Sequence, residues 1–342
     1  MKFIKKLFLL VIIVAVIFAA VVGVSIYRQV YQKQTAADIE VVIPKGSSMG
    51  AVAKLLAREG VIKSPRTFTM YGRFRRAGGK LHAGIYDFPA GLTMADVLTM
   101  IVKGEVKRYR FTIPEGFSIR DIAQLLASME EFGPVVAAQF IKFAQDPQFV
   151  DEMGVGGRTS LEGYLFPDTY VVFNPQDVRE IIRPMVQRFK EVYGDDLKLR
   201  AKELGMTNHE VITLASIIEK ETGKPEERPV IASVFHNRLK KGMVLATDPT
   251  VIYGIANFDG NLRRKDLETP GPYNTYLNAG LPPGPIASPG EKAIRAALYP
   301  KTTNFYFFVS KNDGSHHFSK TMGEHGRAVQ HFQIRRSDEP FK

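Results

Sequence analysis

The longest apolar run in the chain lies close to its N-terminus. Residues 7–26, LFLLVIIVAVIFAAVVGVSI, carry no charge and as a helix would span roughly 30 Å of hydrocarbon. The apolar core of a cleaved signal peptide is usually only about 7–15 residues. The pattern therefore favours a transmembrane helix over a signal peptide. Three lysines precede the run and only two basic residues follow closely, which predicts that residues 1–6 are cytoplasmic and the rest lies outside, in the periplasm.

A second pattern recurs three times along the chain. The strings IPKGSS (Ile43 to Ser48), FPAGLT (Phe88 to Thr93) and IPEGFS (Ile113 to Ser118) each precede a run with apolar positions three and four apart. Each copy predicts a short strand, a turn, a capping Ser or Thr and a helix. The first two copies resemble the LysM type of small βαα(β) glycan-binding module, although a simple packing unit gives the same pattern.

The remaining pattern predicts mostly helices. Thr207 and Glu210 form a capping box, and Gly223 with Pro225 supplies a stop, so 207–222 is the best-marked helix. Further helices are predicted at 177–193, 229–241, 289–298 and 324–330, with a helical stretch between 130 and 158, a strand at 304–310 and irregular proline- and glycine-rich chain over 247–290.

These patterns predict an α+β protein made of successive parts. The expected parts are a stub (1–6), a transmembrane helix (7–26), a linker (27–39), a LysM-like module (40–107), a connecting strand-helix region (108–157) and a catalytic domain (158–342).

Composition narrows the chemistry. The 342 residues include no cysteine, which excludes thiolate metal sites and a cysteine nucleophile. The net charge of +11 favours anionic partners. An outward location leaves lipid headgroups or an anionic wall as partners and argues against nucleic acid. His316, His317 and His325 lack the spacing of a metal motif, so we expect no metal or other cofactor and assign these histidines to loop stabilisation.

One carboxylate stands out as a candidate acid. Ile212, Ala215, Ser216 and Glu219 fall on one face of the predicted helix 207–222. Partial desolvation and the nearby helix C-terminus should both raise the pKa of Glu219, as a general acid requires. The alternative is a surface glutamate paired with a lysine. Glu221 points elsewhere on the helix, so the two glutamates are not a facing pair.

Several long motifs carry a family resemblance. ASIIEKET, which contains Glu219, closely resembles the catalytic helix of the endolytic murein transglycosylase family, the MltG or YceG-like proteins. The other matching motifs, in the family's order, are LEGYLFPDTY (161–170), RPVIASVFHNRL (228–239), TDPTVIYG (247–254), PYNTY (272–276), GLPPGPI (280–286), GSHHF (314–318) and EH (324–325). Gly326 stands where the family commonly has asparagine.

The resemblance implies a reaction and a set of residues. It implies cleavage of the β-1,4 bond between N-acetylmuramic acid and N-acetylglucosamine inside nascent glycan strands, near peptidoglycan synthases, leaving 1,6-anhydro ends and limiting strand length. Glu219 would be catalytic. The substrate-binding candidates from the matched motifs are Glu162, Tyr164, Asp168, Thr247, Asp248, Tyr253, Tyr273 and Asn274.

Each substrate-binding candidate also has a purely structural interpretation. Asp248 before Pro249 is placed to cap a turn, Asn274 to hold its own loop, and Glu162 to brace Arg158. Two other functions remain open at this point. One is a non-catalytic glycan-binding scaffold for wall synthases, and the other is a hydrolase in which Glu162 is the second carboxylate.

Overall fold

The structure is a computed structural model that describes residues 2–155 and 159–335; Arg158 lies outside the described residues. The chain divides into two compact units. Residues 1–109 with 171–174 form the N-terminal unit, and residues 110–170 with 175–342 form the C-terminal unit. The expected connecting region 108–157 therefore belongs almost wholly to the same unit as the motifs that follow it.

The N-terminal unit begins with one long apolar helix, α1 (Lys2–Tyr31). Its apolar stretch is exposed and long enough to cross a membrane, which fits a single-pass membrane anchor. The helix continues five residues beyond Ile26. Val30 is 2% exposed within the core of the unit, and the Thr67 hydroxyl donates to Gln29 Oε1 at 2.6 Å. The expected linker 27–39 is thus helical and packed at its start.

The rest of the N-terminal unit is a small sheet covered by helices. Val41 and Tyr86 face each other in the antiparallel strand pair and are both buried. Ser48 and Thr93 cap helices as the repeat predicted. The elements of this unit follow in the order strand, helix, helix, strand, which is the βαα(β) order expected from the sequence. Its likeness to a LysM module and its binding of glycan stay predictions. The elements are β1 (Ile39–Ile43), α2 (Met49–Arg58), α3 (Pro65–Phe74), β2 (Gly84–Phe88) and α4 (Met94–Lys103).

The C-terminal unit is mainly helical, with short strand pairs. The first part comprises β3 (Tyr109–Thr112), α5 (Ile119–Ser128), α6 (Gly133–Ala144), α7 (Pro147–Glu152), β4 (Thr169–Val172), α8 (Val178–Val192) and α9 (Asp195–Glu203), although Tyr109 of β3 and residues 171–172 of β4 are assigned to the N-terminal unit. The second part comprises α10 (Asn208–Glu221), α11 (Arg228–Lys240), α12 (Asp248–Gly254), α13 (Arg264–Glu268), α14 (Glu291–Leu298), β5 (Phe307–Ser310), β6 (His316–Ser319), α15 (Met322–Val329) and a π-helical turn (Gln330–Arg335). The α+β class is confirmed.

Helix α10 is the central element of the C-terminal unit. Its residues 211–218 are all buried, and it packs against α14 and α11. The capping box of Thr207 and Glu210 is present, as predicted. Because α10 is enclosed over two turns, the side chains of its last turn are held in place by the core.

The structure adds elements that the sequence pattern did not predict. The proline- and glycine-rich region 247–290 contains α12 and α13, and α12 begins with Asp248 followed by Pro249, both favourable in a first helical turn. The GSHHF motif forms β6, which pairs antiparallel with β5 so that Phe308 lies opposite Phe318. α9 and β4 were also missed.

Candidate active site

Glu219 lies in the last turn of α10, and its side chain is only 4% exposed. Arg228 Nη2, from the start of α11, lies 2.5 Å from Glu219 Oε1. The backbone N–H of Gly290, at the start of α14, donates to Glu219 Oε2 at 2.9 Å. The interpretation of Glu219 as a surface glutamate paired with a lysine is therefore wrong.

Opposing effects act on the proton of Glu219. Burial, the largest effect, raises its pKa, and the charge of Glu115 adds to that. The Gly290 amide and the Arg228 guanidinium favour the carboxylate, yet the pKa stays above its usual value. The predicted direction is confirmed. A raised pKa makes proton donation by Glu219 easier than from an ordinary carboxyl group, and Arg228 with Gly290 stabilises the anion once the proton is transferred.

The turn before α5 forms a wall of the Glu219 site. A Cβ on Gly116 would lie 3.6 Å from Glu219 Cγ, an ordinary contact distance, so this turn lies directly beside the Glu219 side chain. A Cβ on Gly290 would lie 2.0 Å from Glu115 Oε1, so the absence of a side chain at Gly290 permits this close approach. Lys220 Nζ donates to the Gly116 carbonyl at 3.2 Å. Glu115 is half-exposed and therefore marks the side of the site that faces solvent.

Glu162 is a second buried carboxyl group beside the same turn. It accepts from the Ile119 N–H at 3.1 and 3.2 Å and from the Tyr253 hydroxyl at 3.0 Å. Burial raises the pKa of Glu162 to about 7 despite these hydrogen bonds. The residue contacts the start of α5, while Glu219 packs against Gly116 at the preceding turn. The proposed brace to Arg158 falls outside the described residues.

Three predicted residues line one cavity of about 430 Å³, namely Glu162, Tyr253 and Tyr273. The two tyrosine rings pack with their centroids 4.8 Å apart. Ser160 and His209 contribute further polar groups to the lining. Aromatic faces beside hydrogen-bonding groups suit a sugar, whose ring has apolar faces and a polar edge.

Two other residues of the LEGYLFPDTY motif lie elsewhere. Tyr164 is buried and lines a separate cavity of about 520 Å³, with its hydroxyl 2.8 Å from His209 Nδ1. Asp168 forms an ion pair with Arg188 at 3.0 Å on the surface. Neither lines the cavity of Glu162, so their contact with substrate stays a prediction.

The three remaining candidates contact neighbouring protein groups. The Thr247 hydroxyl donates to Glu221, which is half-buried and whose pKa desolvation raises to about 7. Asp248 accepts from the Tyr276 hydroxyl at 2.6 Å. Asn274 is buried, and its amide donates to carbonyls of its own loop. The structural interpretation of Asn274 is thus observed, and substrate binding by all three stays a prediction. Glu221 points away from Glu219, as predicted.

The histidines near the C-terminus make contacts within the protein. His316 Nδ1 lies 2.7 Å from Glu227 Oε2, and the His325 ring stacks on Phe307. Over residues 2–155 and 159–335, no group of three His, Asp or Glu side chains is placed to hold a metal ion.

Sequence reasoning missed three residues that surround Glu219. Arg228 and Glu115 both stood in motifs already noticed, RPVIASVFHNRL and IPEGFS, but nothing along the chain connected them to Glu219. The sequence pattern places Gly290 at the end of the irregular region and in the first turn of the helix predicted at 289–298, and neither position connects it to Glu219.

Comparison with known proteins supports one family. The model of the YceG-like family matches residues 41–331. An endolytic murein transglycosylase of Bacillus subtilis is 34% identical over 316 residues, covering 88% of this chain and 86% of that protein. One of Streptococcus pneumoniae is 29% identical over 322 residues, covering 85% of this chain and 58% of the relative.

A solved structure agrees with these sequence matches. The crystal structure of a yceG-like protein from Listeria monocytogenes superposes with a TM-score of 0.58 at 33% identity, covering 84% of this chain and 98% of the other. The family model and the Bacillus relative each cover most of the chain. The chain belongs to the YceG-like family.

Proposed function

We propose that this protein is a lytic transglycosylase that cleaves the β-1,4 bond between N-acetylmuramic acid and N-acetylglucosamine within glycan strands. The observation that carries the proposal is Glu219, a buried carboxyl group with a raised pKa that contacts a cation and a backbone amide. The names of the Bacillus and Streptococcus relatives support the substrate class.

Glu219 acts first as an acid and then as a base. Its proton passes to the glycosidic oxygen as the bond from C1 to that oxygen breaks. The C6 hydroxyl of the same muramyl residue then bonds to C1 and gives its proton to the Glu219 carboxylate. No water is consumed, and the product ends in a 1,6-anhydro ring. Attack within one sugar benefits from a high effective molarity, so a second catalytic carboxylate is not required.

Arg228 and Gly290 support the ionised half of this cycle. They contact the two oxygens of Glu219 and so stabilise the carboxylate formed after the first proton transfer. Burial keeps the same carboxylate basic enough to recover a proton from the C6 hydroxyl. The N-acetyl group of the substrate stabilises the positive charge that develops at C1, as in substrate-assisted glycosidases.

The cavity of Glu162, Tyr253 and Tyr273 is the proposed binding site for neighbouring sugar residues. Its tyrosine rings offer faces for stacking, and Glu162 offers a hydrogen-bonding group. Tyr164, Asp168, Thr247, Asp248 and Asn274 are proposed to shape the surrounding loops.

The proposed location is the cytoplasmic membrane. The three lysines before the apolar run support an orientation with residues 1–6 in the cytoplasm and the catalytic unit outside it. There the enzyme meets nascent glycan strands, and cleavage close to the peptidoglycan synthases limits strand length.

Mass spectrometry of the products tests the reaction. Residues 28–342 are incubated with purified and with lipid-linked glycan strands, beside Glu219→Gln and a control variant, Glu226→Gln, which alters an exposed glutamate. Products lighter by one water than hydrolytic fragments, lost only in Glu219→Gln, support the proposal. Hydrated ends indicate a hydrolase, and continued cleavage by Glu219→Gln removes that residue from the chemistry. No cleavage of either substrate supports the scaffold.

A further inference from the structure

An apolar groove of about 370 Å³ runs between α1 and α3 in the N-terminal unit. Gly23 and Tyr27 of α1 and Met70 and Phe74 of α3 line it. Phe74 is 82% exposed and Met70 is 48% exposed, which is unusual for two large apolar side chains one helical turn apart.

The groove has a defined depth relative to the apolar run of α1. Gly23 lies within that run, three residues before its end at Ile26, which corresponds to roughly 5 Å along a helix. Because Phe74 and Met70 line the same groove as Gly23, they lie close to the level at which α1 leaves the hydrocarbon. Apolar side chains at that level contact the boundary between headgroups and acyl chains.

α3 is held firmly against α1, so this level is fixed. The Tyr27 and Tyr31 rings pack with centroids 4.8 Å apart, and Tyr31 packs edge-on against Tyr71 of α3 at 6.3 Å. Val30 is buried in the shared core. Tyrosine is also a residue typical of membrane–water interfaces.

The charge around the groove suits an anionic surface. Between Gly60 and Tyr86 the sequence has six basic residues and no acidic one. On α3, Arg66 and Arg73 lie four residues before and three residues after Met70, on the same outer side, and both are exposed. The other basic residues are Lys63, Arg75, Arg76 and Lys80, all exposed.

We infer that the outer face of α3 is a membrane-contact surface for anionic phospholipid. Phe74 and Met70 enter the outer part of the acyl region beside α1, and Arg66 and Arg73 bind the headgroups of the same leaflet. The inference rests on the proposed anchor and is independent of the chemistry of Glu219. It assigns the N-terminal unit a lipid partner in addition to any glycan.

The test uses the absence of tryptophan from the chain. Full-length Phe74→Trp and, as the matched control, Val42→Trp are reconstituted in vesicles of phosphatidylcholine and phosphatidylglycerol. Val42 is 55% exposed on β1, so each variant carries one exposed reporter. Phosphatidylcholine brominated on its acyl chains then quenches whichever reporter contacts the acyl region.

We expect Phe74→Trp to lose roughly half or more of its emission and Val42→Trp to lose little, because quenching requires contact with the brominated chains. Quenching of Phe74→Trp should weaken when phosphatidylglycerol is left out, since the arginines then lose their partners. Equal quenching of both reporters, or none in protein that floats with the vesicles, overturns the inference. Protein that does not float with the vesicles contradicts the proposal that α1 is a membrane anchor.

Discussion

Replacing Glu162 by glutamine should stabilise the protein at alkaline pH. The Glu162 pKa lies at about 7 in the folded chain, against an ordinary value of 4.5. That difference corresponds to about 3 kcal/mol. Below pH 4.5 both states are protonated. As pH rises from 4.5 to 7 the unfolded chain ionises first, so the stability present at low pH is lost, and above pH 7 the loss is complete.

Glu162→Gln removes this titration while keeping the shape of the side chain. We expect about equal melting temperatures for variant and parent at pH 4.5. At pH 8 the variant should melt roughly 6–12 °C higher, since about 3 kcal/mol is involved and each kcal/mol moves the midpoint of a unit this size by about 2–4 °C. Glu221 titrates in both proteins, so its effect cancels.

Differential scanning calorimetry of residues 28–342 at the two pH values measures the difference, with Glu226→Gln as the control. An equal rise at both pH values would refute titration as the cause, because a packing gain does not depend on pH. An unchanged or lower midpoint at pH 8 would refute the raised pKa. In the expected case, a buried acid at the proposed site is kept at a cost to stability.

Three further substitutions test the surroundings of the site. Arg228→Met leaves Glu219 buried without its cation, so urea denaturation at pH 8 should show a loss of about 3–5 kcal/mol; the loss should be smaller at pH 5, and equal losses would contradict the pairing. Thr247→Val removes the hydrogen bond to Glu221, which should cost about 1–3 kcal/mol and raise the Glu221 pKa in a carboxyl NMR titration. An unchanged titration would count against that contact. Phe235→Ala empties a fully buried position and should cost about 3–5 kcal/mol in urea, whereas a loss below about 1 kcal/mol would contradict the packing.

Those features of α10 that depend on residues close to one another in the sequence could be predicted from the sequence alone. Thr207 and Glu210 mark its start through contacts three residues apart, and both contacts are present. The apolar positions before Glu219 place its side chain on the buried face, and that face is indeed enclosed. Caps and periodicity act within one helix, so a single sequence reveals them.

The partners of Glu219 could not be predicted because they come from separate segments. Arg228 lies at the start of the next helix, and Gly290 lies 71 residues after Glu219. The turn at Gly116 precedes Glu219 by more than 100 residues. Only the packing of the helices brings them together. α9 was missed for a local reason. Its sequence, DDLKLRAKE, buries only Leu197 and Ala201, too few for an apolar stripe to stand out.

The continuity of α1 with the core of the N-terminal unit has a practical and a mechanical consequence. A truncation after Tyr31 removes Gln29 and Val30, and Val30 alone accounts for about 1.5–3 kcal/mol of burial. Soluble versions that begin at Arg28 keep this packing, whereas shorter ones lose it. If α1 is the membrane anchor, a tilt or rotation of it in the bilayer passes directly to the N-terminal unit, because the end of α1 packs against α3 and α4.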